Sequence, residues 1–253
     1  MARYLLKVCV YLIMQQGFEN RKSNMRKVEY FTIIIILLIL QSCSEPAENN
    51  SSTDLKNELV SQEPAATEKP RKVILFFGNS ITAAFGLESN QSFTHLIQAR
   101  LDSLGYHYEV INAGVSGETT ATGSSRVNWV IEKQPLDIFV LELGGNDGLR
   151  GVPVKETRKN LELIIDKVRE IHPDAKILLA GMMVPPNMGP EYSKNFNKIF
   201  PELAQSKNVQ LIPFILEHVA GIDSLNLPDG IHPNVQGEKI VMENVWMELK
   251  ELL

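Results

Sequence analysis

Ser80 sits in the run VILFFGNSITAAFGL, residues 73–87, directly after Gly78 and Asn79, where an apolar strand pattern breaks and the chain turns. A hydroxyl presented at such a turn, beside the free N–H groups of a starting helical turn, could attack a carbonyl carbon and find donors for the charge that develops. By itself the same serine reads equally well as a helix N-cap. A nucleophilic serine also needs a base, and LPDGIHPN, residues 227–234, offers one. Asp229 and His232 are three apart in a Gly/Pro-rich loop, so one tight turn lets the carboxylate orient the imidazole and stabilise its protonated form. Alone, that pair is an Asp-Gly turn followed by a surface histidine. The third requirement is a set of donors for an oxyanion. NAGVSGET, residues 112–119, can supply the N–H of Gly114, and GGNDG, residues 144–148, the carboxamide of Asn146. Ser116, in the middle of the first of these loops, is the rival nucleophile.

Other residue types narrow the chemistry. The two cysteines, Cys9 and Cys43, precede every segment patterned as a folded domain, so the domain has no thiol nucleophile, Cys-held metal or internal disulfide. His95, His107, His172 and His218 have no carboxylate companion in a loop, and no His/Asp/Glu cluster has metal-ligand spacing. The GxSxG elbow of α/β-hydrolases does not occur, and the candidate acid and base share one loop.

The elements that must carry these residues follow from hydrophobic patterning. From Arg71 onward, strand-like runs at 73–77, 108–111, 138–143, 177–181 and 209–213 alternate with amphipathic helical spacing. Leu161, Ile164, Ile165 and Val168 mark one helix face; Phe93, Leu96, Ile97, Leu101 and Leu104 mark another; Val241, Val245 and Leu249 mark a closing helix. Strands alternating with helices predict an α/β fold with an open parallel sheet covered on both faces. In such sheets functional loops lie beyond the carboxyl ends of the strands, and that is where the glycine-rich and polar stretches fall.

With 253 residues and a formal charge of -5, the chain suits one soluble domain plus appendages. No Lys/Arg block exists to follow a phosphate backbone, which argues against nucleic acid as a partner. Residues 31–40, FTIIIILLIL, are too short an apolar run to span a membrane but suit a signal-peptide core, with MRK just before it. Residues 44–70 are polar and lack aromatics, the composition of a flexible tether. The expected organisation is a signal region over 1–42 with its start at Met25, a tether over 43–70 and a catalytic domain over 71–253.

Two resemblances sharpen this reading. LQSC, ending at Cys43, resembles the lipobox of bacterial lipoproteins, which implies lipidation of Cys43 and a lipid-anchored location in the bacterial cell envelope. The ordered set GNS, NAG, LELGGNDGLRG and PDGIHPN resembles the SGNH or GDSL hydrolase superfamily, on the branch of bacterial thioesterase I, arylesterase and lysophospholipase L1. That resemblance implies a three-layer α/β/α sandwich on a flavodoxin-like five-stranded parallel sheet of order 2-1-3-4-5. It implies a metal-free, cofactor-free set in which Ser80 is the nucleophile, His232 the base and Asp229 its orienting acid. The Ser80 N–H, Gly114 and Asn146 would form the oxyanion hole. The superfamily signature has Asp before its serine, whereas this chain has Asn79, which puts the electrostatics of that loop in question.

The loop after the fourth strand carries Met183, Pro185, Met188, Tyr192 and Phe196, flexible and aromatic groups that suit an acyl chain in a shallow groove. The expected function is hydrolysis of acyl esters through an acyl-enzyme, with small acyl esters or lysophospholipids as substrates. A carbohydrate acetylesterase is the alternative within the same superfamily. A flavin-binding or ligand-binding lipoprotein without turnover is the alternative outside it.

Overall fold

A computed structural model describes residues 70–253. The expected signal region, Cys43 and all but the last residue of the expected tether lie outside the described residues. Five strands form one parallel sheet: β1 Lys72–Gly78, β2 Tyr108–Gly114, β3 Ile138–Glu142, β4 Lys176–Ala180 and β5 Gln210–Ile212, in the order β2-β1-β3-β4-β5. This is the predicted sheet and strand order. β1 and β3 occupy its centre, and every residue of β1 from Val73 and all of β3 are buried. Covered on both faces, they read as unbroken apolar runs rather than as an alternation.

Seven helices flank the sheet among the described residues: α1 Phe93–Ser103, α2 Thr120–Ile131, α3 Gly145–Leu149, α4 Val154–Ile171, α5 Pro190–Asn197, α6 Ile199–Lys207 and α7 Val235–Leu249. α1 packs with α7, while α4 packs with both α2 and α6. The predicted apolar faces of α4 and α7 are buried. On α1, Phe93, Ile97 and Leu101 are buried, but Leu104 is exposed, because the helix ends at Ser103 and Leu104 has turned out of its register as the C-cap. Phe76 meets Phe93 edge-on at 5.5 Å, fastening α1 to the sheet.

α7 is tied to α1 by a buried carboxylate. Glu238, in the first turn of α7, accepts the N–H of Phe93 at 2.6 Å, one of the donors left open at the start of α1. Burial pushes the Glu238 carboxyl up to about 8, against the lowering effect of the Phe93 N–H and with a further rise from the charge of Glu142. Its folded value therefore lies above the 4.5 of an unperturbed glutamate. Between those two values the folded state keeps a proton that the unfolded chain has released, so stability falls as pH rises through that window. Glu238→Gln keeps an oxygen for Phe93 and removes the titration. Thermal midpoints measured from pH 5 to pH 9 are expected to decline less steeply for this variant than for the parent. Parallel curves would show that Glu238 does not carry the effect.

Candidate active site

The turn after β1 is shaped by close contacts. A Cβ on Gly78 would lie 2.1 Å from Thr82 Oγ1 and 2.5 Å from Glu142 Oε2, so only glycine lets the strand end against these groups. The chain then coils through residues 79–85, with the N–H of Ala83 bonded to the carbonyl of Asn79 and that of Phe85 to the carbonyl of Ser80, both at 3.0 Å. Asn79 and Ser80 are buried beneath this coil. Glu142, the last residue of β3, underlies it. Its Oε2 accepts the N–H groups of Asn79 (3.1 Å) and Thr82 (3.2 Å) and the Thr82 hydroxyl (2.8 Å), and its Oε1 accepts the Asn79 amide at 2.8 Å. Burial pushes this carboxyl up to about 7, and the four donors pull against that rise.

The second loop arrives from 152 residues away. Asp229 Oδ1 accepts the N–H groups of Ile231 (2.9 Å) and His232 (3.0 Å), the tight turn that the three-residue spacing predicts. Its Oδ2 meets His232 Nδ1 at 2.7 Å, and His232 Nε2 meets Ser80 Oγ at 2.8 Å. Partial burial would raise the Asp229 carboxyl, but its bonds to the His232 N–H, the His232 ring and the Ile231 N–H outweigh this and lower it to about 2. An ionised carboxylate only accepts, so Nδ1 carries the hydrogen and Nε2 presents its lone pair to the Ser80 hydroxyl. The Phe85 ring packs against the imidazole, centroids 4.6 Å apart and tilted by 39°. The three oxygen and nitrogen groups singled out from sequence are thus brought into one relay.

Asn146 also arrives where expected. It enters α3 after Gly144, whose φ of 116° is open to glycine, and lines the same cavity as Ser80. One hydrogen of its amide is engaged by the carbonyl of Glu118 at 3.0 Å, which leaves the other available. Asp147 beside it is buried and accepts the Thr120 N–H and hydroxyl at 2.9 and 2.5 Å, locking the GGND turn onto the start of α2.

Gly114 departs from the expectation. Its N–H is already committed to Asn112 Oδ1 at 2.9 Å. A Cβ there would lie 2.4 Å from the Ala83 nitrogen, so this glycine lets the end of β2 press against the coil carrying Ser80. The backbone that runs beside Asn146 is that of residues 117–118, and Gly117 has a φ of 81°. Gly117 is the second glycine of NAGVSGET and directly precedes Glu118, whose carbonyl holds the Asn146 amide. Ser116 is exposed and outside the cavity lining.

A cavity of about 490 Å³ opens beside Ser80, walled by Ile81, Leu149, Met182, Met183, Val184, Pro185, Phe214, Leu216 and Ile231. Met183 and Pro185 stand in this wall, as the sequence predicts. Met188, Tyr192 and Phe196 are not part of the wall. Met188 and Tyr192 pack against the core, the Tyr192 hydroxyl donates to the Val152 carbonyl at 2.7 Å, and Phe196 is fully buried between Tyr192 and Phe200. Their aromatic surface is consumed in seating α5 and α6. Phe214 and Leu216, just past β5, supply the opposite wall, and the rule that loops after parallel strands build the site applies to them equally.

Known proteins share these features. The profile of the GDSL-like Lipase/Acylhydrolase family matches residues 76–240. "Esterase TesA" of Pseudomonas aeruginosa is 40% identical over 195 residues, covering 77% of this chain and 94% of that protein. "Thioesterase 1/protease 1/lysophospholipase L1" of Escherichia coli K12 is 30% identical over 180 residues, covering 71% of this chain and 84% of that protein. The crystal structure of the psychrotrophic esterase EstA from Pseudoalteromonas sp. superposes with a TM-score of 0.67 at 32% identity, covering 71% of this chain and 97% of that one.

Proposed function

The chain belongs to the GDSL-like lipase and acylhydrolase family, and we propose that within it Ser80, His232 and Asp229 hydrolyse acyl esters through an acyl-enzyme. It is a carboxylic-ester hydrolase of the esterase and arylesterase kind. The observation that carries the catalytic assignment is the pair of bonds made by one imidazole, 2.7 Å to Asp229 and 2.8 Å to Ser80.

In the first half-reaction the Ser80 oxygen attacks the ester carbonyl carbon while its proton passes to His232 Nε2. The resulting imidazolium is stabilised by Asp229, which stays ionised because its folded value is about 2. The carbonyl oxygen, now negative, takes donors from the Ser80 N–H and the free hydrogen of the Asn146 amide, without the Gly114 N–H, which Asn112 already holds. Collapse breaks the bond to the alcohol, which leaves with the proton from His232. Water then attacks the acyl carbon, giving its proton to the same nitrogen, and the acid leaves as the proton returns to Ser80.

The cavity wall favours a medium or long acyl chain, with lysophospholipids within the substrate class. Apart from Asn79, Ser80, Asn146 and His232 its side-chain lining is apolar, and each methylene buried is worth about 0.8 kcal/mol at full burial. Release of p-nitrophenol from esters of increasing length is expected to show kcat/KM rising by about tenfold or more from acetyl to octanoyl, well inside what that transfer energy allows. The same protein should release fatty acid from lysophosphatidylcholine. A profile that peaks at acetyl and declines from there would sink the chain-length assignment and favour an acetylesterase.

A further inference from the structure

Glu142 is a buried carboxylate outside the cavity lining, and four donors meet it. Three of them, the N–H groups of Asn79 and Thr82 and the Asn79 amide, can only donate. Asn79 is oriented from its other end as well, because its Oδ1 accepts the N–H of Ile81 at 3.0 Å and faces the Ser80 hydroxyl at 3.4 Å. Flipping this amide would set NH₂ against N–H at Ile81 and oxygen against oxygen at Glu142. The bond between residues 79 and 142 therefore has a fixed sense, with donor at 79 and acceptor at 142. Residues 79 and 82 flank Ser80 on either side, so one carboxylate holds both flanks of the nucleophile turn.

We propose that Glu142 and Asn79 are a positioning pair for the nucleophile, a buried carboxylate and amide that together aim Ser80 at His232. The inference rests on Ser80 being the nucleophile. It accounts for asparagine at a position where a carboxylate would stand 2.8 Å from Glu142 Oε1 and require a trapped proton between the two. It also makes a demand that mere packing would not make. In Glu142→Gln the new NH₂ must oppose either the Asn79 amide or two backbone N–H groups, whichever way it turns. In Asn79→Asp the two carboxyl groups must share a trapped proton or repel each other. The double variant, Asn79→Asp with Glu142→Gln, transposes the groups. The new amide at position 142 then donates its NH₂ to the new carboxylate at position 79, while its oxygen accepts the backbone N–H groups and the Thr82 hydroxyl. The carboxylate at position 79 still accepts from the Ile81 N–H.

The test compares the parent, Glu142→Gln, Asn79→Asp, the double variant and Asn79→Ala. The readouts are kcat and KM on p-nitrophenyl butyrate, the rate of Ser80 labelling by a fluorophosphonate, and thermal midpoints. Glu142→Gln is expected to lower kcat and the labelling rate by about 30-fold or more, with KM within about threefold, since misplacing a reacting group by about 1 Å can cost 10²-fold while the acyl cavity is untouched. The double variant is expected to recover about tenfold of that loss, a coupling that distant sites do not show. A double variant no more active than Glu142→Gln itself, or a Glu142→Gln protein with parental kcat, overturns the proposal. If Glu142→Gln does not fold, a folded and active double variant supports the pair. Asn79→Ala with parental kcat and labelling rate but a lowered midpoint reduces the pair to a packing role. A parent protein with no esterase activity and no labelling at Ser80 would instead fail the catalytic assignment, so the two failures are distinguishable.

Discussion

Ser80→Ala is expected to lower kcat on p-nitrophenyl esters by about 10⁴-fold or more, the scale seen when a catalytic serine is removed from a relay of this kind. The Ser80 oxygen is the atom that His232 Nε2 faces at 2.8 Å, and no other hydroxyl in the cavity wall stands in that position. Removing it deletes the covalent route, leaving binding and the oxyanion donors to assist direct attack by water. KM should change little, because the acyl wall consists of other residues. Stability should change little as well. The hydroxyl's other contact, to Asn79 Oδ1, is long at 3.4 Å, and the side chain of His232 remains 17% exposed, enough for water to satisfy its nitrogen. A folded variant retaining more than about a hundredth of parental kcat would remove Ser80 from the nucleophile role.

Asp229→Asn is the second large effect, and its mechanism is a reversed imidazole. Asp229 Oδ1 is engaged by two backbone N–H groups while Oδ2 receives the ring Nδ1–H. Asparagine has one oxygen, and the two N–H groups of the turn claim it. Its NH₂ then faces Nδ1, which must become an acceptor, so the ring hydrogen moves to Nε2 and points at Ser80. A base that presents N–H to the hydroxyl cannot take its proton. The expected loss in kcat is on the order of 10³ to 10⁴, at nearly unchanged KM and thermal midpoint, because the turn itself survives. NMR of the ring nitrogens reports the tautomer directly. Loss of activity with the Nδ1–H tautomer intact would show that Asp229 acts through its charge rather than through orientation.

Much of this is legible in order along the chain. β1 and β3 announce themselves as continuous apolar runs because both their faces are covered, and α4 announces itself by spacing because one face is not. Asp229 and His232 are legible as a unit because the turn joining them is local. Glu142 is visible inside LELGGND but acquires no role there, since the donors that meet it come from residues 79 and 82, some 60 positions away.

Residue type and spacing determined the parallel sheet, the chemistry of a serine, an imidazole and a carboxylate, and the end of the sheet where they meet. These depend on hydrophobic period, loop length and functional group, which are properties of short stretches. Only the tertiary structure decided that the Gly114 N–H is not free for the site, because the direction of an N–H depends on what its neighbours already bond. It alone decided that Tyr192 and Phe196 are core while Phe214 and Leu216 are wall, because apolar side chains of similar character are sorted by the surfaces left to cover. The sense of the Asn79 and Glu142 bond belongs there too, since a buried donor and acceptor acquire a direction only when every other partner around them is in place.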